Sequence, residues 1–466
     1  MRAQAEATQA QLAIVQAQLE ALTRQVHGKK SERLPSKLPP PVPAKKPTPE
    51  ATQEKRRAAR ELREANLVTE TEPIPVAPEA CRCPKCGEAE LDVVGEGTES
   101  SLIDYVQGYF RKKKFLRETK SCRCGQYIVT AAAPDRVGEG TRYAPGFIAH
   151  LVVSKCADSG AQYRLEKAFA RLGIPMARST MNDLFHRAAD ELRPLWIRMR
   201  KRIAESTHVD ADETSIVQQG RSSKAYVWAF VTDSLTFYTY ATNRSGNTPK
   251  AILGGSTGSL LCDAFTGYNI VARVGGRERA GCNAHARRKV FESREVDEAA
   301  AALELYRQLY EVERTAKEDG VLGTPAHLER RKQQSRPLFA KLLIWARRAK
   351  GHHGPKTKIG KAVNYLLNHR RALGRFLHDP KLALDNNRAE RALRRVALGR
   401  KNFLFVGSKR AGQNLAILYS LVTSCEQNQV NPLAYLTDVL TRLADYPARK
   451  IDDLLPDRWK PPEAHD

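Results

Sequence analysis

The sequence predicts a multidomain α+β protein: a mixed α/β core interrupted by a helical insertion, preceded by a coiled-coil helix, a small cysteine knuckle and a helical region. Three observations carry this. A chain of 466 residues is long enough for roughly three domains with cores of their own. Strand-type patterning is confined to one stretch, from His208 to Val274, whereas helical spacing dominates from His285 to His378. A run rich in Pro and Lys, Leu34 to Glu50, detaches the first helix from everything after it.

Taken in order, residues 1–33 hold Ala5, Leu12, Val15, Leu19, Leu22 and Val26 at steps of three and four, with Thr8 at one polar step. Such a narrow seam suits a short coiled coil and hence a homo-oligomer, or else a helix packed on its own protein. Residues 34–50 form an extended linker, and 51–135 a charged helix followed by the knuckle. Residues 136–205 are helical; Gly173-Ile174-Pro175 before Arg178-Ser179-Thr180 resembles a helix-turn-helix, although two helices joined by a Gly turn also pack for purely structural reasons. Strands are expected at Val209–Val217, Ala225–Val231, Leu235–Ala241 and Ser259–Asp263, placing the first part of the core at 206–292. The insertion spans 293–380, the second part of the core 381–445, and a mostly polar tail 446–466. Within that second part a helix is expected at the NNRAERALRR run, a strand at Asn402–Val406 and a helix at Asn414–Glu426.

Lys and Arg number 77 against 52 Asp and Glu, a net charge of +25, so polyanions and nucleic acid in particular are the first partners to consider. Much of that excess lies between Arg330 and Lys381, where fifteen Lys or Arg face a single acid, Asp379. No apolar run approaches the roughly 20 residues of a membrane span, and the N-terminus lacks a secretory core, so a soluble, cytoplasmic, DNA-associated protein is expected.

Nine cysteines, five of them in two close clusters, fit metal binding under reducing conditions better than a disulfide framework. Cys83-Pro-Lys-Cys86-Gly87 can aim two thiolates at one tetrahedral ion, and Cys122 with Cys124 would complete a structural zinc site. Cys81 is a fifth possible ligand, and a set of reduced cysteines in a β-rich segment is the alternative. Four thiolates would leave no open position for a catalytic water.

Phosphodiester chemistry with two divalent ions asks for hard carboxylate oxygens, so isolated acids at strand ends in basic surroundings are the residues to look for. Asp212 lies on the first core strand, Asp263 ends the Leu260-Leu261-Cys262 run, and Glu390 sits on the first turns of a helix that Asp385 or Asn386 can cap. Each has an ordinary alternative: a turn residue for either Asp, and an i,i+4 partner of Arg394 for Glu390. A strand Asp, a second strand Asp and a helical Glu, in that order on a hairpin-bearing sheet, form the series expected of a ribonuclease-H-like core. Asp210 rivals Asp212 on the same strand face, and Asp385 rivals Glu390. The 127 positions from Asp263 to Glu390 exceed what such a core needs, hence the insertion.

The segments ADET (Ala211 to Thr214), CDAFTGY (Cys262 to Tyr268), GCNAHARRKV (Gly281 to Val290), LDNNRAERALRRVALGRKNFLFVGS (Leu384 to Ser408) and the closing NPLAYLTDVLTRLADYP with IDDLLP resemble the transposases of the insertion sequence 66 family, which are DDE transposases. HGKKSERL and AHLVVSKCADSGAQYRLEKAFARLGI match in order as well, so the resemblance covers nearly the whole chain. It departs at the Cys122-x-Cys124 spacing and at Cys156, where the family tends to an aromatic residue.

The resemblance implies that Asp212, Asp263 and Glu390 hold two Mg²⁺ (or Mn²⁺) ions and that the enzyme cleaves at the terminal inverted repeats of its element. The freed 3′-hydroxyls are then joined to target DNA by in-line attack, without a covalent enzyme intermediate. It also implies accessory proteins from the same element. Cys282 and His285 match a Cys-x-x-His element beside the second acid; His285 is expected at the active site or the scissile DNA, with a core Cys and a sheet-bonding His as the alternative. Arg391, Arg394, Arg395, Arg400 and Lys401 form a cationic edge suited to phosphates. Two rival functions remain at this point: a DNA-binding regulator without catalysis, and a nuclease on the same core that does not join strands.

Overall fold

The computed structural model describes residues 53–54, 57–58, 108, 110–112, 114–121, 128–130, 136–138 and 141–461. The expected coiled-coil helix, the linker and the knuckle cysteines Cys81, Cys83, Cys86, Cys122 and Cys124 lie outside the described residues. The chain divides into two units, Met1–Gly108 and Tyr109–Asp466, and every element below belongs to the second.

A short antiparallel pair, β1 (Thr119–Ser121) and β2 (Ile128–Thr130), precedes four helices: α1 (Pro145–Cys156), α2 (Gln162–Arg171), α3 (Arg178–Glu191) and α4 (Arg193–Glu205). Pro145 and Pro194 open α1 and α4, positions where the missing N–H is no loss. Gly173, at φ +77°, turns α2 into α3, a conformation that disfavours side chains with a Cβ.

The sheet follows. β3 (His208–Gln218), β4 (Ala225–Val231) and β5 (Thr236–Ala241) form an antiparallel meander. After α5 (Asn247–Leu253), β6 (Gly258–Cys262) runs parallel to β3; after α6 (Asn269–Gly275), β7 (Arg277–Gly281) runs parallel to β6. The resulting order is β5-β4-β3-β6-β7. β7 is absent from the sequence expectation because Arg-Glu-Arg-Ala-Gly shows no apolar alternation. Its Arg277 is buried all the same, because its guanidinium donates to the carbonyls of Ala204, Ser206 and Ser259.

Helix α7 (Asn283–Phe291) ends the first part of the core, and the insertion comprises α8 (Asp297–Glu318), α9 (Pro325–Arg330), α10 (Arg336–His352) and α11 (Lys358–Leu373). It has its own apolar core, including Leu303, Tyr306, Leu342 and Leu366. Buried Arg331 ties it together by pairing with Glu313 at 2.5 Å and donating to the carbonyls of Phe376, Asp379 and Leu382.

The chain returns through α12 (Asn387–Phe403), β8 (Phe405–Val406), which pairs with the end of β3, α13 (Lys409–Gln427) and α14 (Pro432–Arg442). Helix α12 continues where a strand from Asn402 was expected, which leaves only two residues for β8. The largely apolar α13 covers β5, the edge strand. Its Ser420 and Ser424 hydroxyls accept the β5 N–H groups of Tyr238 and Thr236 at 2.8 and 2.9 Å, so this edge offers no template for another strand.

Two packing features join regions that the sequence reading set apart. Helices α1–α4 bury Leu151, Phe185 and Leu195 in the same apolar cluster as the sheet residues Trp228 and Phe237, so they form one body with the core rather than a separate domain. The expected polar tail docks instead: Leu454 and Leu455 are buried, the Leu454 carbonyl accepts from Tyr435, and Asp452 pairs with Arg198. Among the described residues no helix is long and apolar enough to cross a membrane.

Candidate active site

Strand β3 carries an acid on three of four successive positions, and the pleat sends them to opposite faces of the sheet: Asp210 and Asp212 to one, Glu213 to the other. The face of Asp210 and Asp212 receives the first turns of α12. Asp210 is buried and gripped by Arg388 of that helix through two bonds, at 2.8 and 3.1 Å. A carboxylate so occupied is a structural ion pair, which separates Asp210 from Asp212.

Asp212 is half-buried and accepts only the neighbouring Glu213 N–H, at 2.9 Å, among the described residues. Burial, with the charges of Glu213, Asp263 and Glu390 close by, pushes its carboxyl up to about 8. The three predicted acids come from β3, the end of β6 and α12, and Asp263 and Glu390 lie near enough for their charges to act on Asp212. Asp263 accepts the Phe265 N–H at 2.9 Å, which fixes the chain as it leaves β6.

On the other face Glu213 is fully enclosed. Arg244 pairs with it at 2.5 Å, the Tyr268 hydroxyl donates to it at 2.5 Å, and the same guanidinium lies 3.9 Å from Asp263 and stacks over the Phe265 ring. These residues were missed by sequence reasoning. Glu213 and Tyr268 stand inside the quoted ADET and CDAFTGY segments, but nothing in the spacing couples them to Arg244.

Cys282 and His285 belong here too. Cys282 begins α7, and its sulfur accepts the backbone N–H of His285 and, at 3.5 Å, that of Asn386. Asn386 in turn reaches the Ala211 carbonyl through its side chain, at 3.4 Å. One buried thiol thus joins the start of α7 to the start of α12, next to Asp212. Burial pushes that thiol up to about 12, so it is present as S–H. His285 Nδ1 lies 3.5 Å from Glu390 Oε1, and both atoms are buried without a hydrogen-bond partner. The ligating atoms of Cys282, His285 and Glu390 all lie within 4.8 Å of one another.

Asp385, the rival to Glu390, accepts the Asn387 N–H at 3.2 Å and the Tyr310 hydroxyl at 2.8 Å, so it shapes the entry to α12. The N-cap itself is Asn386, whose side chain makes no capping bond.

The five cationic residues do not share one edge. Arg391, Arg394 and Lys401 are exposed. Arg395 instead donates to the Cys156 carbonyl at 2.8 Å and pairs with Glu426, while Arg400 holds Thr214 Oγ1 at 3.0 Å and the Ser215 carbonyl. The reason is helical: residues 391, 394, 398 and 401 follow the solvent stripe, whereas 395 and 400 sit where α12 rolls against α1 and β3.

Acidic residues thus stand near one another in a strongly basic chain, with one buried carboxylate oxygen, Glu390 Oε1, lacking a donor. Residues 140–414 match the transposase IS66 family, and residues 420–456 match the IS66 C-terminal element. Three uncharacterized proteins of Sinorhizobium fredii are similar along most of their length. Protein y4qI is 31% identical over 81% of this chain and 74% of its own, y4jD is 30% identical over 83% and 79%, and y4hP is 29% identical over 82% and 74%. The chain belongs to the IS66 family of transposases.

Proposed function

We propose that this chain is a DDE transposase that cleaves DNA at the ends of its element and transfers the freed 3′-hydroxyls into target DNA. The observation that carries the reading is the convergence of Asp212, Asp263 and Glu390 from three elements until their charges act on one carboxyl. The sheet order, three antiparallel strands continued by two parallel ones, supports a ribonuclease-H-like core.

The three acids offer hard carboxylate oxygens suited to divalent cations, with Glu390 Oε1 left without a hydrogen-bond donor and His285 and Cys282 standing beside it. Asp212, Asp263 and Glu390 would hold Mg²⁺ or Mn²⁺, which supplies a polarised nucleophile and charge neutralisation at the leaving oxygen. Arg388 withdraws Asp210 from the donor set, and Arg244 with Tyr268 holds Glu213 behind the site. Cys282 and Asn386 position α12, and hence Glu390, against β3. Arg391, Arg394 and Lys401 would take DNA phosphates along the exposed stripe of α12. The structural zinc, self-association through the N-terminal helix and accessory proteins remain part of the proposal on the strength of the sequence.

The test is nicking and strand transfer on labelled element-end DNA with Mg²⁺, comparing the native chain with Asp212→Asn and Glu390→Gln. Each substitution is expected to cost about a thousandfold or more in both steps while DNA binding persists, since several kcal/mol of transition-state stabilisation is removed. Activity surviving both would overturn the assignment, and cleavage without joined product would favour a nuclease.

A further inference from the structure

A second cleft, of about 420 Å³, opens at the far end of α12, some 20 Å from Glu390 at 1.5 Å per residue. One wall comes from α1–α3 and carries Lys155, Tyr163 and Arg178; the other is the turn from α12 into β8, with Asn402, Phe403 and Phe405. Its composition is that of neither a core nor an ordinary solvated face. Tyr163 and Phe405 are 55% and 44% exposed, and both line this one cleft.

The cations are arranged around rings. The Lys155 ammonium sits 4.7 Å from the centre of the Phe185 ring and 5.2 Å from that of Phe403, and it pairs with no carboxylate among the described residues. Arg178, largely exposed, lies 5.8 Å from the Tyr163 ring centre and pairs at 3.3 Å with Glu166, and the Lys167 ammonium lies 5.7 Å from the same ring centre. Between Phe403 and Phe405 the backbone turns at Leu404 with φ +63°, a left-handed conformation that a bulky side chain adopts only at a cost. That turn holds Phe405 outward and leaves Leu404 64% exposed.

We infer that this cleft binds single-stranded DNA, with bases stacking on Tyr163 and Phe405 and the backbone phosphates drawn to Lys155 and Arg178. Flat apolar faces beside cations match the two parts of a nucleotide, whereas a duplex presents its bases only at groove edges. A displaced strand end is single-stranded, so the cleft would hold a strand that has left its pairing partner. The inference rests on the chain's acting on DNA, but not on the identity of its catalytic residues.

The test uses the full chain, a labelled twelve-nucleotide oligothymidine and a duplex of the same length. Anisotropy of Tyr163→Ala, Phe405→Ala and the double variant is expected to show single-strand affinity falling about five- to tenfold for each ring, with duplex affinity changing less than twofold. Oligonucleotides carrying 5-iodouracil should photocrosslink to peptides containing Tyr163 or Phe405. Equal losses on both DNAs, no loss on either, or crosslinks confined to other peptides would overturn the inference. Circular dichroism of the variants separates loss of binding from loss of fold, and both rings are exposed enough for the fold to survive. Asp212→Asn should keep the single-strand binding while losing cleavage, so the two readings fail independently.

Discussion

Asp212 offers the sharpest prediction, because its carboxyl is pushed up to about 8 by burial and by the acids around it. At pH 7 such a group is protonated in about 0.9 of molecules, and at pH 9 in about 0.1. Only the carboxylate can ligate a cation, so binding of Mg²⁺ or Mn²⁺ must expel whatever proton is there. Calorimetric titration in two buffers of different ionisation enthalpy should therefore report release of about 0.9 proton per site at pH 7 and about 0.1 at pH 9. The Asp212→Asn chain should release about none from this position. The same shift has a stability consequence of definite sign. The folded-state value lies above the unfolded one, so the favourable contribution is complete below about pH 4 and fades as pH rises toward 8. The metal-free native chain should thus lose melting temperature across that window more steeply than Asp212→Asn. Proton release that is absent at pH 7, or equal in the two proteins, would refute the account of the site as crowded, mutually repelling carboxylates.

Other substitutions probe the scaffold and the DNA stripe. Arg388→Met leaves Asp210 buried without its partner and should destabilise the chain by about 3 kcal/mol, read as a lowered melting temperature; no change would mean that the pair is not the anchor of α12. Cys282→Ala removes the acceptor shared by His285 and Asn386, and kcat for cleavage should fall about tenfold with KM nearly constant; Cys282→Ser should recover part of it. Arg391→Ala and Arg394→Ala should each weaken DNA binding on any sequence and lower the salt slope by about 1, measured by anisotropy between low and moderate salt. Arg395→Ala should instead lower thermal stability and leave the salt slope alone, since its guanidinium is committed to Cys156 and Glu426.

The legible parts of this fold were those where local periodicity and burial coincide. The meander β3–β5 is bounded by turns and rich in β-branched and aromatic residues, and its strands were located to within a residue or so. The strand β7 was illegible because its burial is achieved by an arginine satisfied through three distant carbonyls, a fact of tertiary structure with no local trace. The same holds at the site. The sequence could nominate Asp212, Asp263 and Glu390 as isolated acids, but only the ADET match favoured Asp212 over Asp210; spacing alone could not, because the residue that occupies Asp210 is Arg388, 178 positions away. Likewise Arg395 and Arg400 read as phosphate ligands until the roll of α12 turns them inward.

What makes the cluster a site rather than a flaw is the distribution of its counter-charges. The chain carries a net charge of +25, yet the cations nearest the acids are committed elsewhere: Arg388 to Asp210 and Asp233, and Arg244 chiefly to Glu213, with only a 3.9 Å approach to Asp263. Asp212 has no cation in ion-pair distance among the described residues, and Glu390 meets only His285, across 3.5 Å. A protein with so many arginines could have neutralised these carboxylates with one more, as it did for Asp210 two residues before Asp212. Leaving them crowded costs stability that a pair would have supplied. That cost is expected where an external cation completes the charge balance, and Asp212→Lys measures it directly. A tethered ammonium among the acids should raise the melting temperature of the metal-free chain while abolishing both Mg²⁺ binding and cleavage. A fall in melting temperature would show instead that the acids are comfortable as they stand, and the argument for a cation site would lose its electrostatic support.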